Sequence, residues 1–275
     1  VKYIEDRMEY LLAGGGQSWD RRYEAALALK ADGTVTGLRV KLLDDQGATA
    51  EGYGSISVAK PLAAFTGSYR IEAASYEVKL VATNRAPTYA YRGYGPPPHF
   101  LVLESLIDIA ARELQLDPAE LRRRNYIRPE QFPYTIPSGN EYDSGNYAGV
   151  LDRVIELSEY RALREQQAAA RKQGRLVGVG IVSTVEPGVF DWNAYATVGV
   201  PGVGVPEGVK VAVDVLGNIT VAVGFNLQGQ GQFTVAAQVV ADYFGVDMGV
   251  VRVATASSDV AVAHFGQGGS RLGVA

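Results

Sequence analysis

Arg92 stands between two tyrosines in the stretch Ala90-Tyr91-Arg92-Gly93-Tyr94-Gly95-Pro96-Pro97-Pro98, a spacing that can present a cation and a ring to one ligand. A guanidinium is planar, permanently charged and rich in donors, so it suits a site where negative charge develops. Gly93 and Gly95 permit backbone angles that a side chain forbids, which lets the chain approach a ligand closely. The three prolines then fix the chain ahead of whatever follows. On these nine residues alone, a strand-to-helix turn with a surface arginine is the favoured reading.

Two further loops carry chemistry of a different kind. Gln228-Gly229-Gln230-Gly231-Gln232 precedes an apolar run that reads as a helix. Backbone N–H groups at a helix start bind anions or polar ring edges, and the Gln230 amide offers a donor and an acceptor. Phe265-Gly266-Gln267-Gly268-Gly269-Ser270-Arg271 is the second loop, and Gly268, Gly269 and Ser270 could cradle a phosphate through amides and a hydroxyl. Neither loop fits the P-loop, which needs Lys before Ser or Thr, or the dinucleotide fingerprint with its downstream acid. Each alone is more often an ordinary helix start.

Composition removes several classes of function. The 275 residues contain no cysteine, so disulfides, thiolate zinc sites, cysteine nucleophiles and protein-ligated iron–sulfur clusters are absent from this chain. His99 and His264 are the only histidines, which supplies a histidine metal site or a serine–histidine triad poorly. No metal ligand is assigned. Any redox chemistry must pass its electrons to another chain or segment. A formal charge of −4 gives no nucleic-acid footprint. No apolar run is long enough for a bilayer and no signal pattern opens the chain, so a soluble, cytoplasmic protein is expected. The start at Val1-Lys2-Tyr3 without Met points to a fragment or a processed product.

The elements that must position these residues fall into an α+β pattern. Residues 1–12 open with a short strand pattern. Residues 23–29 and 34–43 alternate as a hairpin about Ala31-Asp32-Gly33, and residues 44–61 read as a long loop. A strand at 76–82 leads into the arginine turn. Leu101, Leu103, Leu106, Ile107, Ala110 and Leu114 then mark a helix over 98–116. Asp117 is placed as an N-cap with Pro118 at the first helical position, and Arg122, Arg123 and Arg124 read as a solvated face. Residues 132–142 form a proline-punctuated loop, Ser144 is expected to cap a helix through Leu157, and a polar helix covers 161–173. Beyond Gly174 the chain turns rich in Val, Ala and Gly. Strands are expected at 176–185, 208–215, 218–225 and 250–254, with a turn at Leu216-Gly217-Asn218 and a helix over 233–244. The expected division is 1–126 as a first domain, 127–174 as a loop and helical connector, and 175–275 as a second domain. Both domains are mixed β-sheets with packed helices.

Several segments, taken in order, resemble the molybdopterin-binding large subunit of the xanthine dehydrogenase, aldehyde oxidase and aerobic carbon monoxide dehydrogenase family. They are Val1-Lys2-Tyr3-Ile4-Glu5-Asp6-Arg7, Gly67-Ser68-Tyr69-Arg70-Ile71, Thr83-Asn84, and Pro87-Thr88 through Ala90-Tyr91-Arg92-Gly93-Tyr94-Gly95. Then follow Glu104, Leu116-Asp117-Pro118, Leu121-Arg122-Arg123-Arg124-Asn125, Tyr142-Asp143-Ser144-Gly145-Asn146-Tyr147, Gly229-Gln230-Gly231 and Gly269-Ser270-Arg271. The resemblance runs almost end to end.

It implies a two-domain molybdopterin-binding fold and a molybdenum held by cofactor sulfur, consistent with a chain that lacks cysteine. Molybdopterin, with or without a cytosine dinucleotide extension, is the implied cofactor. Arg92 would be catalytic and stabilise negative charge beside the substrate, with Tyr94 packed against a planar substrate. Gly229, Gln230 and Gly231 would bind the pterin, and Gly268, Gly269 and Ser270 its phosphate end. Arg122 to Arg124 would remain structural. Iron–sulfur and FAD groups would lie on other subunits or segments, in a hetero-oligomer acting on a small molecule.

The chain also departs from the family. Gly93 stands where carbon monoxide dehydrogenases carry cysteine, which argues against carbon monoxide as substrate. The family's upstream Gly-Phe-Gly cofactor loop and its downstream glutamate base are missing, Ser257-Ser258-Asp259 replaces an acidic run, and the second glycine loop is shortened. A central slice of a catalytic subunit, incomplete alone and acting on an aldehyde or N-heterocycle, is therefore expected. The alternative is a non-catalytic scaffold or subunit-interaction module derived from that fold.

Overall fold

The computed structural model describes residues 4–12, 18–49, 56–187 and 208–255. Two compact units divide at Glu186, the first Val1–Glu186 and the second Pro187–Ala275.

The first unit opens with helix α1 (Arg7–Leu12), where a strand was expected. The Asp6 carboxylate accepts from the Glu9 amide, and Glu9 in turn accepts from the Asp6 amide. This reciprocal pair satisfies two otherwise orphaned donors and favours a helix start over extension. Strands β1 (Asp20–Leu29) and β2 (Val35–Asp45) form the antiparallel hairpin read from the sequence. In the turn between them, Asp32 accepts from the Thr34 amide. β3 (Ala73–Val81) adds parallel to β2, so the sheet order is β1-β2-β3.

Val35, Leu38, Val40 and Leu42 of β2 point inward, and helix α2 (Pro96–Glu113) answers with Phe100, Leu103, Ile107, Ala110 and Ala111. Burying each large side chain of this set contributes roughly 2 kcal/mol. Pro96 occupies the first helical turn, so the helix begins two residues before its expected start. Helix α3 (Pro118–Asn125) is capped as expected, with Asp117 accepting from the Ala119 and Glu120 amides.

Arg122 overturns the solvated-face reading. Its side chain is 0% exposed and bonds Glu104 and Asp108, which lie one turn apart on α2. Arg123 and Arg124 remain about one-third exposed, with side-chain values of 35% and 36%.

The short pair β4 (Tyr134–Thr135) and β5 (Glu141–Tyr142) interrupts the expected loop. Helix α4 (Tyr147–Leu157) is capped by Asn146, which accepts from the Gly149 amide. Ser144 instead bonds Asp143, which displaces it from the capping role assigned to it. Helix α5 (Tyr160–Lys172) follows.

Residues 176–185 form no strand, contrary to expectation. The Ser183 amide donates to Glu104, Ser68 and Ser183 share a hydroxyl hydrogen bond, and Ile181 is buried in the core. Gln167 donates to the Val177 carbonyl. The contact division thus keeps residues 127–186 with the first unit.

The second unit repeats the plan in small. β6 (Val209–Val213) and β7 (Ile219–Val223) make an antiparallel hairpin, helix α6 (Gln232–Phe244) crosses, and β8 (Val251–Thr255) pairs parallel to β7. Asp214 accepts from the Leu216 and Asn218 amides and closes the expected turn. Ile219, Val221 and Val223 form its small core, against which Phe225, Phe233 and Val240 pack.

Candidate functional site

The arginine turn hangs between β3 and α2, and hydrogen bonds lace its approach to the end of β2. The Thr83 hydroxyl donates to Asp45, Arg85 pairs with Asp20 and Asp45, and the Thr88 amide donates to the Gln46 carbonyl. The Ala48 amide donates to the Arg85 carbonyl. These ties fix where the chain enters the turn.

Inside the turn, three consecutive residues have positive φ: Gly93 at 86°, Tyr94 at 47° and Gly95 at 103°. A non-glycine residue in this region carries strain of order 1 kcal/mol, held by its surroundings. The Tyr94 amide donates to the Tyr91 carbonyl at 2.7 Å and closes the loop. A Cβ on Gly95 would collide with the Ser57 carbonyl oxygen, and one on Gly93 would collide with the Pro97 ring. Glycine is thus required at both places by close approach as well as by angle.

Tyr91 and Arg92 are exposed, and the Arg92 guanidinium pairs with no carboxylate among the described residues. Tyr94, expected to face a planar substrate, is 7% exposed within its unit. The turn therefore presents its cation outward and anchors itself through the neighbouring ring.

Just below, His99 starts the buried face of α2. Its Nε2 lies 2.8 Å from the Phe65 carbonyl oxygen and its ring stacks on Phe65. Burial pulls its pKa down to about 4. The folded state therefore resists the proton that the unfolded chain accepts near 6.5. Stability contributed here is full above pH 6.5 and falls as pH drops toward 4. Relative to His99→Phe, the wild-type chain should lose about 1.5 kcal/mol between pH 6.5 and about 5, as read by chemical denaturation. Parallel curves for the two proteins would show that His99 does not titrate this way.

Sequence reading missed a buried ion pair beside the turn. Arg21 Nε donates to Asp44 at 2.8 Å, with side-chain exposures of 3% and 0%. Arg21 also donates to the Ser57 hydroxyl and lies 4.8 Å over the Trp19 ring, which meets Tyr91 edge-on at 6.5 Å. Burial pushes the Asp44 carboxyl up, and Arg21 pulls it back only in part. The missed signal was a charge at an inward position: Arg21, Tyr23, Ala25 and Leu27 share one face of β1.

In the second unit, Gly229 and Gly231 take φ of 92° and 85°, and a Cβ on either would meet no atom of the described residues within 4 Å. Gly231 is the N-cap of α6 and supplies no side-chain cap; the Thr234 amide donates to its carbonyl, while the Gln232 and Phe233 amides find no backbone acceptor among the described residues. The Gln230 carbonyl oxygen accepts from the Gln228 amide at 2.6 Å, which folds the side chain back over the loop. Gly268, Gly269 and Ser270 lie outside the described residues. The structure thus brings Arg92 and Tyr94 together on one turn of the first unit, and Gly229, Gln230 and Gly231 on one loop of the second.

Two family models for a molybdopterin cofactor-binding domain match the chain, one at residues 1–126 and one at residues 153–274. The nicotine 6-hydroxylase large subunit of Paenarthrobacter nicotinovorans is 35% identical over 100% of this chain and 34% of its own length. The carbon monoxide dehydrogenase large chain of Hydrogenophaga pseudoflava is 34% identical over 98% of this chain and 34% of its own. Among solved structures, quinoline 2-oxidoreductase from Pseudomonas putida 86 superimposes with a TM-score of 0.88 at 33% identity, covering 98% of this chain and 34% of that one. The chain spans about a third of the length of these relatives.

Proposed function

The chain belongs to the family of molybdopterin-binding large subunits, and from that premise we propose that it is part of the catalytic subunit of a molybdenum hydroxylase, oxidising an aldehyde or an N-heterocycle with water as oxygen source. The residues present suit the cofactor. The positive-φ loop at Gly229 and Gly231 ends in a helix start without a side-chain cap, where the Gln232 and Phe233 amides would read a pterin edge. Gly229, Gln230 and Gly231 would hold the pterin, and Gly268, Gly269 and Ser270 its phosphate end, with a cytosine dinucleotide extension.

When bound, the molybdenum cofactor supplies a two-electron oxidation in which the oxygen comes from water. This chain's own contribution is to bind and orient. The observation that carries the reading is Arg92: an exposed cation on a strained, doubly glycine-flanked turn, with no carboxylate partner among the described residues. Its fork would hold the negative charge that grows on the substrate's oxygen or ring nitrogen. The small part of Tyr94 left exposed is where a planar substrate would rest. Electrons would leave through iron–sulfur and flavin partners in a hetero-oligomer. No helix among the described residues is long and apolar enough to cross a membrane.

Purifying the intact gene product and assaying metal and isotope tests this directly. About one molybdenum per subunit is expected, with ¹⁸O from labelled water in the hydroxylated product. A product free of molybdenum would leave the scaffold reading in its place.

A further inference from the structure

The buried Arg21–Asp44 pair, set opposite each other by the β1–β2 register, lies beside the arginine turn. Arg21 reaches the arginine turn from both sides. On the entry side its guanidinium lies over Trp19, and Trp19 presses edge-on against Tyr91, the residue before Arg92. On the exit side it donates to the Ser57 hydroxyl, and the carbonyl of that same residue packs directly on Gly95. Asp44 fixes the guanidinium at 2.8 Å, and Gln46 donates to the other Asp44 oxygen. The Arg21 side chain is 3% exposed and that of Asp44 is fully buried, so the pair is well shielded from solvent screening.

We propose that Arg21 is a positioning residue: held by Asp44, it brackets the turn through Trp19 and Ser57 and so sets where Arg92 points. An exposed arginine just ahead of a three-residue run of positive φ would otherwise sample many orientations, and a misplacement of about 1 Å can cost about a hundredfold in rate. Only a planar fork can serve a carboxylate, a hydroxyl and an indole face at once, so lysine is a poor replacement.

This inference rests on the hydroxylase reading for its kinetic arm but not for its structural one. The test uses the intact enzyme carrying Arg21→Met, Arg21→Lys or Trp19→Leu. Hydrogen exchange of the Tyr94 amide, which closes the turn onto the Tyr91 carbonyl, should speed up at least tenfold in all three. Per bound molybdenum, kcat should fall about tenfold while KM stays within about twofold, with Arg21→Lys no better than half recovered. A residue that merely stabilised the fold would lower yield or cofactor content and leave kcat per molybdenum and Tyr94 exchange unchanged, and that result would overturn the proposal. If Arg21→Met fails to fold, Trp19→Leu decides, because it leaves the Arg21–Asp44 pair intact. If the wild-type enzyme holds no molybdenum, the functional reading fails and the exchange measurement alone still judges the bracket.

Discussion

Replacing Arg92 with Ala in the intact enzyme should lower kcat about a hundredfold and leave the stability of the chain nearly unchanged. The two halves of that expectation come from separate observations. Arg92 is exposed and makes no ion pair with a described carboxylate, so its loss removes little native packing or pairing. On the proposed hydroxylase function the cost falls on the transition state. A charge donor removed from a site built for developing negative charge typically lowers kcat by a hundred- to a thousandfold, about 3–4 kcal/mol. The lower end is expected here, because a partly solvated guanidinium is screened. KM should move far less than kcat, since the interaction strengthens only as charge develops. Arg92→Lys should recover part of the rate by keeping the charge but losing the fork. Unchanged turnover per bound molybdenum in Arg92→Ala would return this residue to an ordinary surface turn.

The turn's neighbours show how much of this was written in one dimension. The first hairpin was legible from alternation at 23–29 and 34–43, and Asp117-Pro118 announced its helix through capping chemistry alone. These are local signals, set by residues that touch each other along the chain. Interactions that depend on partners far away were not legible. Arg122 read as solvated because it sits among three arginines on a short polar helix whose one acid, Glu120, reaches Arg123 and Arg124 instead. Its partners, Glu104 and Asp108, sit one turn apart on the preceding helix, and only packing brings them within 2.8 Å. Residues 176–185 read as a strand because Val and Ile alternate there, yet Glu104 claims the Ser183 amide and Gln167 the Val177 carbonyl, backbone groups that a ladder would have used. The same reason hid Arg21, whose meaning depends on the register that sets it opposite Asp44. At the candidate site, residue types were readable from the glycines, while the support under them was not.

The buried Arg122 provides the largest stability effect expected of a single substitution. It donates to Glu104 through Nε at 2.8 Å and to Asp108 through Nη1 at 2.8 Å, with its own side chain fully covered. Glu104 also accepts from the Tyr69 hydroxyl at 2.6 Å and from the Ser183 amide at 3.0 Å. Burial pushes the Glu104 carboxyl up, and Arg122 is the first of the groups that oppose it. Arg122→Ala removes that opposition and leaves a nearly buried carboxylate held by two neutral donors, at a cost of about 4 kcal/mol in chemical denaturation near neutral pH. The pH dependence carries the diagnosis. A carboxyl whose folded pKa is raised binds its proton more readily in the folded state than in the unfolded one. Stability from that group therefore grows as pH falls and is lost as pH rises through the folded value. The deficit of Arg122→Ala should accordingly shrink on acidification, whereas a simple cavity would give a deficit independent of pH. Adding Glu104→Gln to an Arg122→Leu background should recover more than half of the loss, since the neutral side chain carries no unpaired charge, its carbonyl oxygen can accept from the Ser183 amide, and its NH2 can donate to the Tyr69 hydroxyl oxygen. If Arg122→Ala cost less than about 1 kcal/mol, the arginine would behave as a solvated surface group. Glu104, rather than the arginine that neutralises it, would then be what joins α2 to the segment carrying Ser183.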